Sequence, residues 1–179
     1  MKLIFLDIDG VLNHESYYKN RPSEHRDEFG ELFCPNASLF INELIKLNEA
    51  KIVISSTWRG SGLKVMQEMW QARKMNGEVI GITPHLDHRF RGLEIKAYLK
   101  DKHGFYHLNW NEQQQLDIMK SSKIENYIII DDDSDMTYTQ RNHFIHVLPS
   151  PRNKEGFNKE YFVKANQVLK QDIIELNYN

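Results

Sequence analysis

Four apolar residues, Leu3-Ile4-Phe5-Leu6, run directly into Asp7-Ile8-Asp9-Gly10-Val11-Leu12-Asn13, so a strand built for burial delivers two carboxylates to its own carboxyl end. A fold tolerates two acids there only if something offsets their repulsion, and a divalent cation does so most readily. A second cluster, Asp131-Asp132-Asp133, follows Tyr127-Ile128-Ile129-Ile130 in the same way. The chain thus offers carboxylates twice, each time at a strand end.

Short Val/Ile/Leu-rich runs alternate with stretches of helical period, the pattern of a parallel sheet flanked by helices. Strands are expected at 2–7, 51–55, 79–82, 127–131 and 144–148. Pro35 and Asn36 open a helix with Phe40, Ile41, Leu44, Ile45 and Leu47 at helical spacing. Leu63, Met66, Met69 and Trp70 form the face of a second, with Gly77 marking its end. Gly92 to about Lys102 reads as a third, with Ile95 and Leu99 on one side. Asn158 is positioned to cap a last helix whose Phe162, Ala165, Val168 and Leu169 face inward.

At 179 residues and 40% hydrophobic content the chain is long enough for one domain, 1–179, and too short for two comfortable ones. Its net charge of −2 argues against a generally cationic nucleic-acid binder but leaves room for a local basic groove. The single cysteine, Cys34, cannot form an internal disulfide, the first residues read as a strand and not a signal peptide, and no run is long enough to span a membrane. A cytoplasmic protein with no membrane partner is the expectation; its oligomeric state is not legible.

Two segments depart from the alternation. Residues 13–34, polar and aromatic, leave directly from the first acid pair and read as a flap or minimal cap, with a small hairpin as one form. Residues 103–122, with Tyr106, His107 and Trp110, read as an excursion on the sheet edge.

Open α/β sheets put their ligands at the carboxyl ends of the strands. Four segments meet there: Asp7/Asp9; Ser55-Ser56-Thr57, whose hydroxyls and amides at a strand-to-helix turn suit phosphate oxygens; Arg91, a cation ahead of the third helix; and Asp131/Asp132. Each has a plainer reading. Ser55 and Ser56 can cap a helix beginning near Gly60. Arg59 is as readily an ion-pairing side chain as a substrate contact, and Trp58 more readily core than a stacking platform. Tyr17 and Tyr18 read as flap packing, and His85-Leu86-Asp87-His88 as a solvated loop.

This ordered set resembles the haloacid dehalogenase (HAD) superfamily of phosphohydrolases over nearly the whole chain. More narrowly, Ser55-Ser56-Thr57-Trp58-Arg59, Arg91-Gly92-Leu93-Glu94-Ile95, Ile130-Asp131-Asp132-Asp133-Ser134-Asp135 and Gly156-Phe157-Asn158 look like the HAD domain of Swiss Army Knife RNA repair proteins. The resemblance implies a Rossmannoid three-layer sandwich with a mostly parallel sheet and a small cap or none. It implies Asp7 as nucleophile and Asp9 as acid and base. Mg²⁺ would be held by Asp7, the backbone carbonyl of Asp9, and Asp132 or Asp131, and the phosphate by Ser55, Ser56, Arg59 and a cation. The family usually has lysine at the cationic position; here Arg91 matches, with Lys96 as substitute.

A Mg²⁺-dependent phosphomonoesterase is the leading expectation, with a nucleic-acid terminal phosphate as substrate. A nucleotide or sugar phosphatase is the alternative. Lys19, Arg21, Arg26, Arg59, Arg89 and Arg91 are expected to supply local positive potential. A signalling receiver domain would carry its phosphorylated Asp on a middle strand and be shorter, and a silent phosphate-binding module would not need both leading acids.

Overall fold

The computed structural model describes residues 1–20, 25–87, 90–103, 124–149 and 151–171, with the backbone alone for Asn20 and for 100–103. From β1 (Lys2–Leu6) the chain passes through a short helix, α1 (Glu15–Asn20), and a hairpin, β2 (Arg26–Asp27) and β3 (Gly30–Glu31), into α2 (Pro35–Asn48). Then come β4 (Lys51–Ile54), a 3₁₀ turn over Thr57–Ser61, α3 (Leu63–Ala72), β5 (Val79–Ile82) and α4 (Arg91–His103). β6 (Asn126–Asp131), β7 (Phe144–His146) and α5 (Lys159–Lys170) complete the described elements.

Five strands form one parallel sheet in the order β5-β4-β1-β6-β7. Side chains alternate between its faces. Ile4, Leu6, Ile52, Ile54, Ile128 and Ile130 join one core with residues of α2, α3 and α5. Leu3, Phe5, Val53, Tyr127 and Ile129 join a second with Ile95, Tyr98 and Leu99 of α4. Both faces are covered, which is why the strands read as unbroken apolar runs. Each such side chain contributes about 1.5–3 kcal/mol on burial.

The sheet and its helices are therefore as the sequence implies, with several local differences. α3 ends at Ala72, and the turn uses Lys74 at φ 54°. Gly77, read as that helix's end, instead lets the chain enter β5: a Cβ there would sit 2.6 Å from Ile45 and 2.9 Å from Ile52. Leu47 of α2 is exposed, and Asn48 takes the inward position, bonding Leu44 O and Asn166. On α5, Tyr161 is buried along with Ala165 and Leu169, while Phe162 and Val168 are partly covered. Asn158 caps that helix through Glu160 N and Tyr161 N, as expected. The segment 104–123, which holds most of the sheet-edge excursion, lies outside the described residues.

Beyond the named strands the ladder continues and aligns their ends. Asp7 N donates to Ile130 O, Ser55 N to Leu6 O, Thr83 N to Ile54 O and Val147 N to Asp131 O, all at 2.9–3.0 Å. β1 lies between β4 and β6, the point where strand order reverses and a doubly wound sheet opens a crevice. Asp7 stands at that point.

Two glycines let backbones close around it. Gly10, at φ 75°, lies so close to the Asp132 carboxylate that a Cβ would collide with it. Gly92 would place one 2.6 Å from both Thr137 N and Gln140 Oε1, because the start of α4 is pressed against the loop after β6. Gln140 donates to Gly92 O (3.0 Å), and Gly92 N donates to Asp135 O (3.2 Å). Gly92→Ala is expected to lower stability by about 1–3 kcal/mol, read as a lower urea midpoint at unchanged slope.

Candidate active site

Asp7, Asp131 and Asp132 each present a carboxylate oxygen, and these oxygens lie within 4.8 Å of one another. Asp7 and Asp131 are buried and Asp132 is half-buried. Arg91, on the first turn of α4, faces them. Its Nε lies 3.1 Å from Asp131 Oδ2 and its Nη2 3.9 Å from Asp7 Oδ1. Asp135 fixes where that helix starts, its Oδ2 accepting from Arg91 N at 2.8 Å.

The carboxylates bear the cost of this crowding. Burial first, and then the neighbouring Asp7 charge, push Asp131 up to about 8. The same two causes push Asp132 up to about 6. Burial also raises Asp7, against the pull of Arg91. The buried Asp131 Oδ2 has no aligned hydrogen bond despite the nearby guanidinium. Three deprotonatable oxygens converging on one point, one of them still wanting a partner, fit a hard divalent cation.

Of the two serines, Ser56 turns its hydroxyl to Asp7 and also caps the 3₁₀ turn, accepting from Trp58 N at 3.4 Å. Ser55 is wholly buried with an unpartnered Oγ. The helix-capping reading therefore holds for Ser56 and not for Ser55.

Arg59 is placed otherwise than as a substrate contact. Its side chain is 3% exposed, and Nη1 donates to Ser55 O (2.8 Å) and Ser56 O (2.7 Å) while Nε donates to Thr83 O (3.1 Å). Nη2 pairs with Glu94 Oε2 at 2.6 Å. Arg59 therefore holds the β4 and β5 ends from beneath. Glu94 Oε2 also lies 4.0 Å from Arg91 Nη1, so one buried carboxylate steadies both arginines. Sequence reasoning gave Glu94 no role of its own, although its i,i+3 spacing from Arg91 puts the two on one helix face. Lys96 is half-buried, with its pKa lowered by burial. Helical periodicity carries it roughly 140° around α4 from Arg91, and the ion pairs to Asp7 and Asp131 are those of Arg91.

Asp9 is exposed and its side chain stands outside the three-acid cluster. Its Oδ2 accepts from Trp58 Nε1 at 2.9 Å and its Oδ1 from Tyr18 Oη at 3.4 Å. Neither aromatic was expected to touch the acids. Gly10, Asn13, His14, Tyr18, Asp132, Pro149 and others line a groove of about 270 Å³ alongside. The flap consists of α1 and the β2–β3 hairpin, with residues 21–24 outside the description.

Among the described residues, three of the cations expected to supply positive potential are paired with acids. Lys19 pairs with Glu15, Arg26 with Glu31 and Arg59 with Glu94. Arg21, Arg89 and His88 lie outside the described residues, and His85 and Asp87 are exposed. Among the described residues no helix is long and apolar enough to cross a membrane.

The family described as HAD domain in Swiss Army Knife RNA repair proteins matches residues 3–161. The chain belongs to this family. Membership in the HAD superfamily implies a hydrolase of phosphatase type, and HAD domains generally use a divalent metal, in keeping with the Asp7-Asp131-Asp132 cluster. The matched span takes in every site residue named above, and Gly156-Phe157-Asn158 now has a structural reason. Phe157 N donates to Val11 O at 2.9 Å, and a Cβ on Gly156 would meet that carbonyl at 2.5 Å. The motif therefore braces the turn that carries the HAD acids. No curated protein or solved structure is significantly similar to the chain.

Because Asp131 and Asp132 take up protons more readily folded than unfolded, the metal-free HAD domain loses stability as pH rises through about 4 to 8. Its melting temperature, followed by circular dichroism in EDTA, is expected to fall from pH 5 to pH 8.5. Saturating Mg²⁺ is expected to flatten that decline, with proton release on binding.

Proposed function

We propose that the protein is a Mg²⁺-dependent phosphomonoesterase working through an aspartyl-phosphate on Asp7. The observation that carries this reading is the convergence of Asp7, Asp131 and Asp132 oxygens within 4.8 Å at the sheet's switch point, with Arg91 beside them. Asp7 Oδ attacks phosphorus in line, a new O–P bond forms, and the ester P–O bond breaks. Asp9 gives its proton to the departing oxygen. Water then attacks the phosphoryl group as Asp9 takes back a proton, the Asp7–phosphorus bond breaks, and inorganic phosphate leaves. Arg91 and the Ser55 and Ser56 hydroxyls stabilise the equatorial oxygens.

Asp7, Asp131 or Asp132, and the backbone carbonyl of Asp9 would hold Mg²⁺, which when bound screens the carboxylate from the anionic phosphate. The exposed Asp9, free of any large cap among the described residues, supports a bulky substrate whose terminus alone enters the site. Together with the family's occurrence in RNA repair proteins, this favours a nucleic-acid terminal phosphate.

Phosphate release from a terminally phosphorylated oligonucleotide, a mononucleotide, a sugar phosphate and a phosphopeptide tests the reading. The oligonucleotide is expected to have the highest kcat/KM, and EDTA to abolish turnover. Asp7→Asn is expected to lower kcat by about 10³-fold or more, and Asp9→Asn by about 10²–10⁴-fold. Sustained turnover by Asp7→Asn would refute the nucleophile assignment, and a preference for the mononucleotide or sugar phosphate would move the substrate to a small metabolite.

A further inference from the structure

Trp58 is the side chain that holds the Asp9 carboxylate, and its own position is set from three sides. Phe33 packs on its ring at 6.5 Å between centroids, the Arg73 guanidinium lies 5.5 Å from its ring centre, and Gly30 of β3 runs past its edge, where an added Cβ would come within 3.5 Å. Arg73 also stacks over Phe33 at 4.2 Å and donates to Asp27 of β2 through Nε (2.9 Å) and Nη2 (2.8 Å). That bidentate pair lowers the Asp27 pKa and ties the hairpin to the end of α3. The indole ring is thus clamped between the β2–β3 hairpin and the body of the fold, with its one polar atom aimed at Asp9.

An indole N–H is a donor only, so it selects the carboxylate oxygen it can reach and fixes the torsion of that carboxylate. We propose that Trp58 is a positioning residue for the proton transfer, holding Asp9 by Oδ2 so that Oδ1 is the oxygen presented to the ester oxygen that leaves. Asp9 stands on the exposed turn after β1, where packing does not fix its side chain, and a misplacement of about 1 Å is enough to cost roughly 10²-fold in rate. Tyr18, from α1, donates to the same Oδ1 at 3.4 Å, a longer contact that the ester oxygen would replace. The inference rests on the phosphatase reading above and gives the hairpin a role in it: the hairpin sets Trp58, and Trp58 sets Asp9.

The test compares esters whose leaving groups differ in their need for a proton. Trp58→Phe keeps an aromatic ring and removes the N–H. Its loss in kcat/KM is expected to be about tenfold greater for an alkyl phosphate than for p-nitrophenyl phosphate, because only the alkoxide requires protonation to depart. In an Asp9→Asn background the same substitution is expected to add no further discrimination between the two esters. Equal losses on both esters, or full additivity with Asp9→Asn, would overturn the role.

A readout independent of turnover checks the geometry. The Trp58 indole resonance, identified by its absence in Trp58→Phe, is expected to shift upfield in a ¹H–¹⁵N spectrum when Asp9 becomes Asn. An unmoved resonance would also overturn the role. If the unsubstituted protein hydrolyses neither ester while the resonance shifts as stated, the phosphatase reading is what has failed, and the positioning role falls with it.

Discussion

Buried like charges govern this structure, and Arg91 is what makes them tolerable. The block formed by Asp7, Asp131, Asp132 and Glu94 with Arg59 and Arg91 contains four carboxylates against two guanidinium groups. Fully ionised, it is left with two negative charges, the complement of one divalent cation. Without such a cation the carboxylates respond as buried acids do, retaining protons: Asp131 to about 8 and Asp132 to about 6. The site is therefore most compatible with its own fold when either protons or a metal occupy it.

The rest of the architecture serves to keep those charges in register. Parallel pairing brings the ends of β1, β4, β5 and β6 level, and the ladder bonds of Asp7, Ser55, Thr83 and Val147 extend that alignment one residue past the strands. Arg59 then fastens the β4 and β5 ends together through three carbonyls, and Glu94 passes the constraint to Arg91. A buried pair such as Arg59–Glu94 contributes little net stability, but removal of one member strands the other at a cost of about 3–5 kcal/mol. Its value here is geometric. The arginine that faces Asp7 and Asp131 is held by a carboxylate that is itself held.

Most of the sheet and the acid positions were legible because they depend on local pattern. Each buried strand is an unbroken apolar run, and Asp7 and Asp131 follow such runs directly. Arg91 was legible as a cation near the acids because it opens a helix that starts at the sheet's carboxyl edge. What was not legible depends on long-range packing. Arg59 differs from a surface arginine only through Thr83 and Glu94, 24 and 35 residues away. Trp58 reads as core by composition, and partly is, yet its Nε1 finds Asp9 across 49 residues of sequence. The pairing of Lys19 and Arg26 escaped notice for the opposite reason: their acids, Glu15 and Glu31, are near in sequence or strand, and a charge count does not reveal such partnerships.

The flap is where these two scales meet. Its hairpin has only two residues in each strand and cannot be stable alone. It is anchored by the pair between its Asp27 and Arg73, whose guanidinium in turn lies over the Phe33 and Trp58 rings, contacts that lead away from the carboxylate cluster and toward α3. α1, by contrast, reaches the site directly through Tyr18. The two parts of one insertion thus converge on Asp9 from different supports, one through a partly buried indole and one through a phenol. One Asp9 oxygen is held by a donor set in the fold, while the other accepts from the α1 phenol over a longer contact.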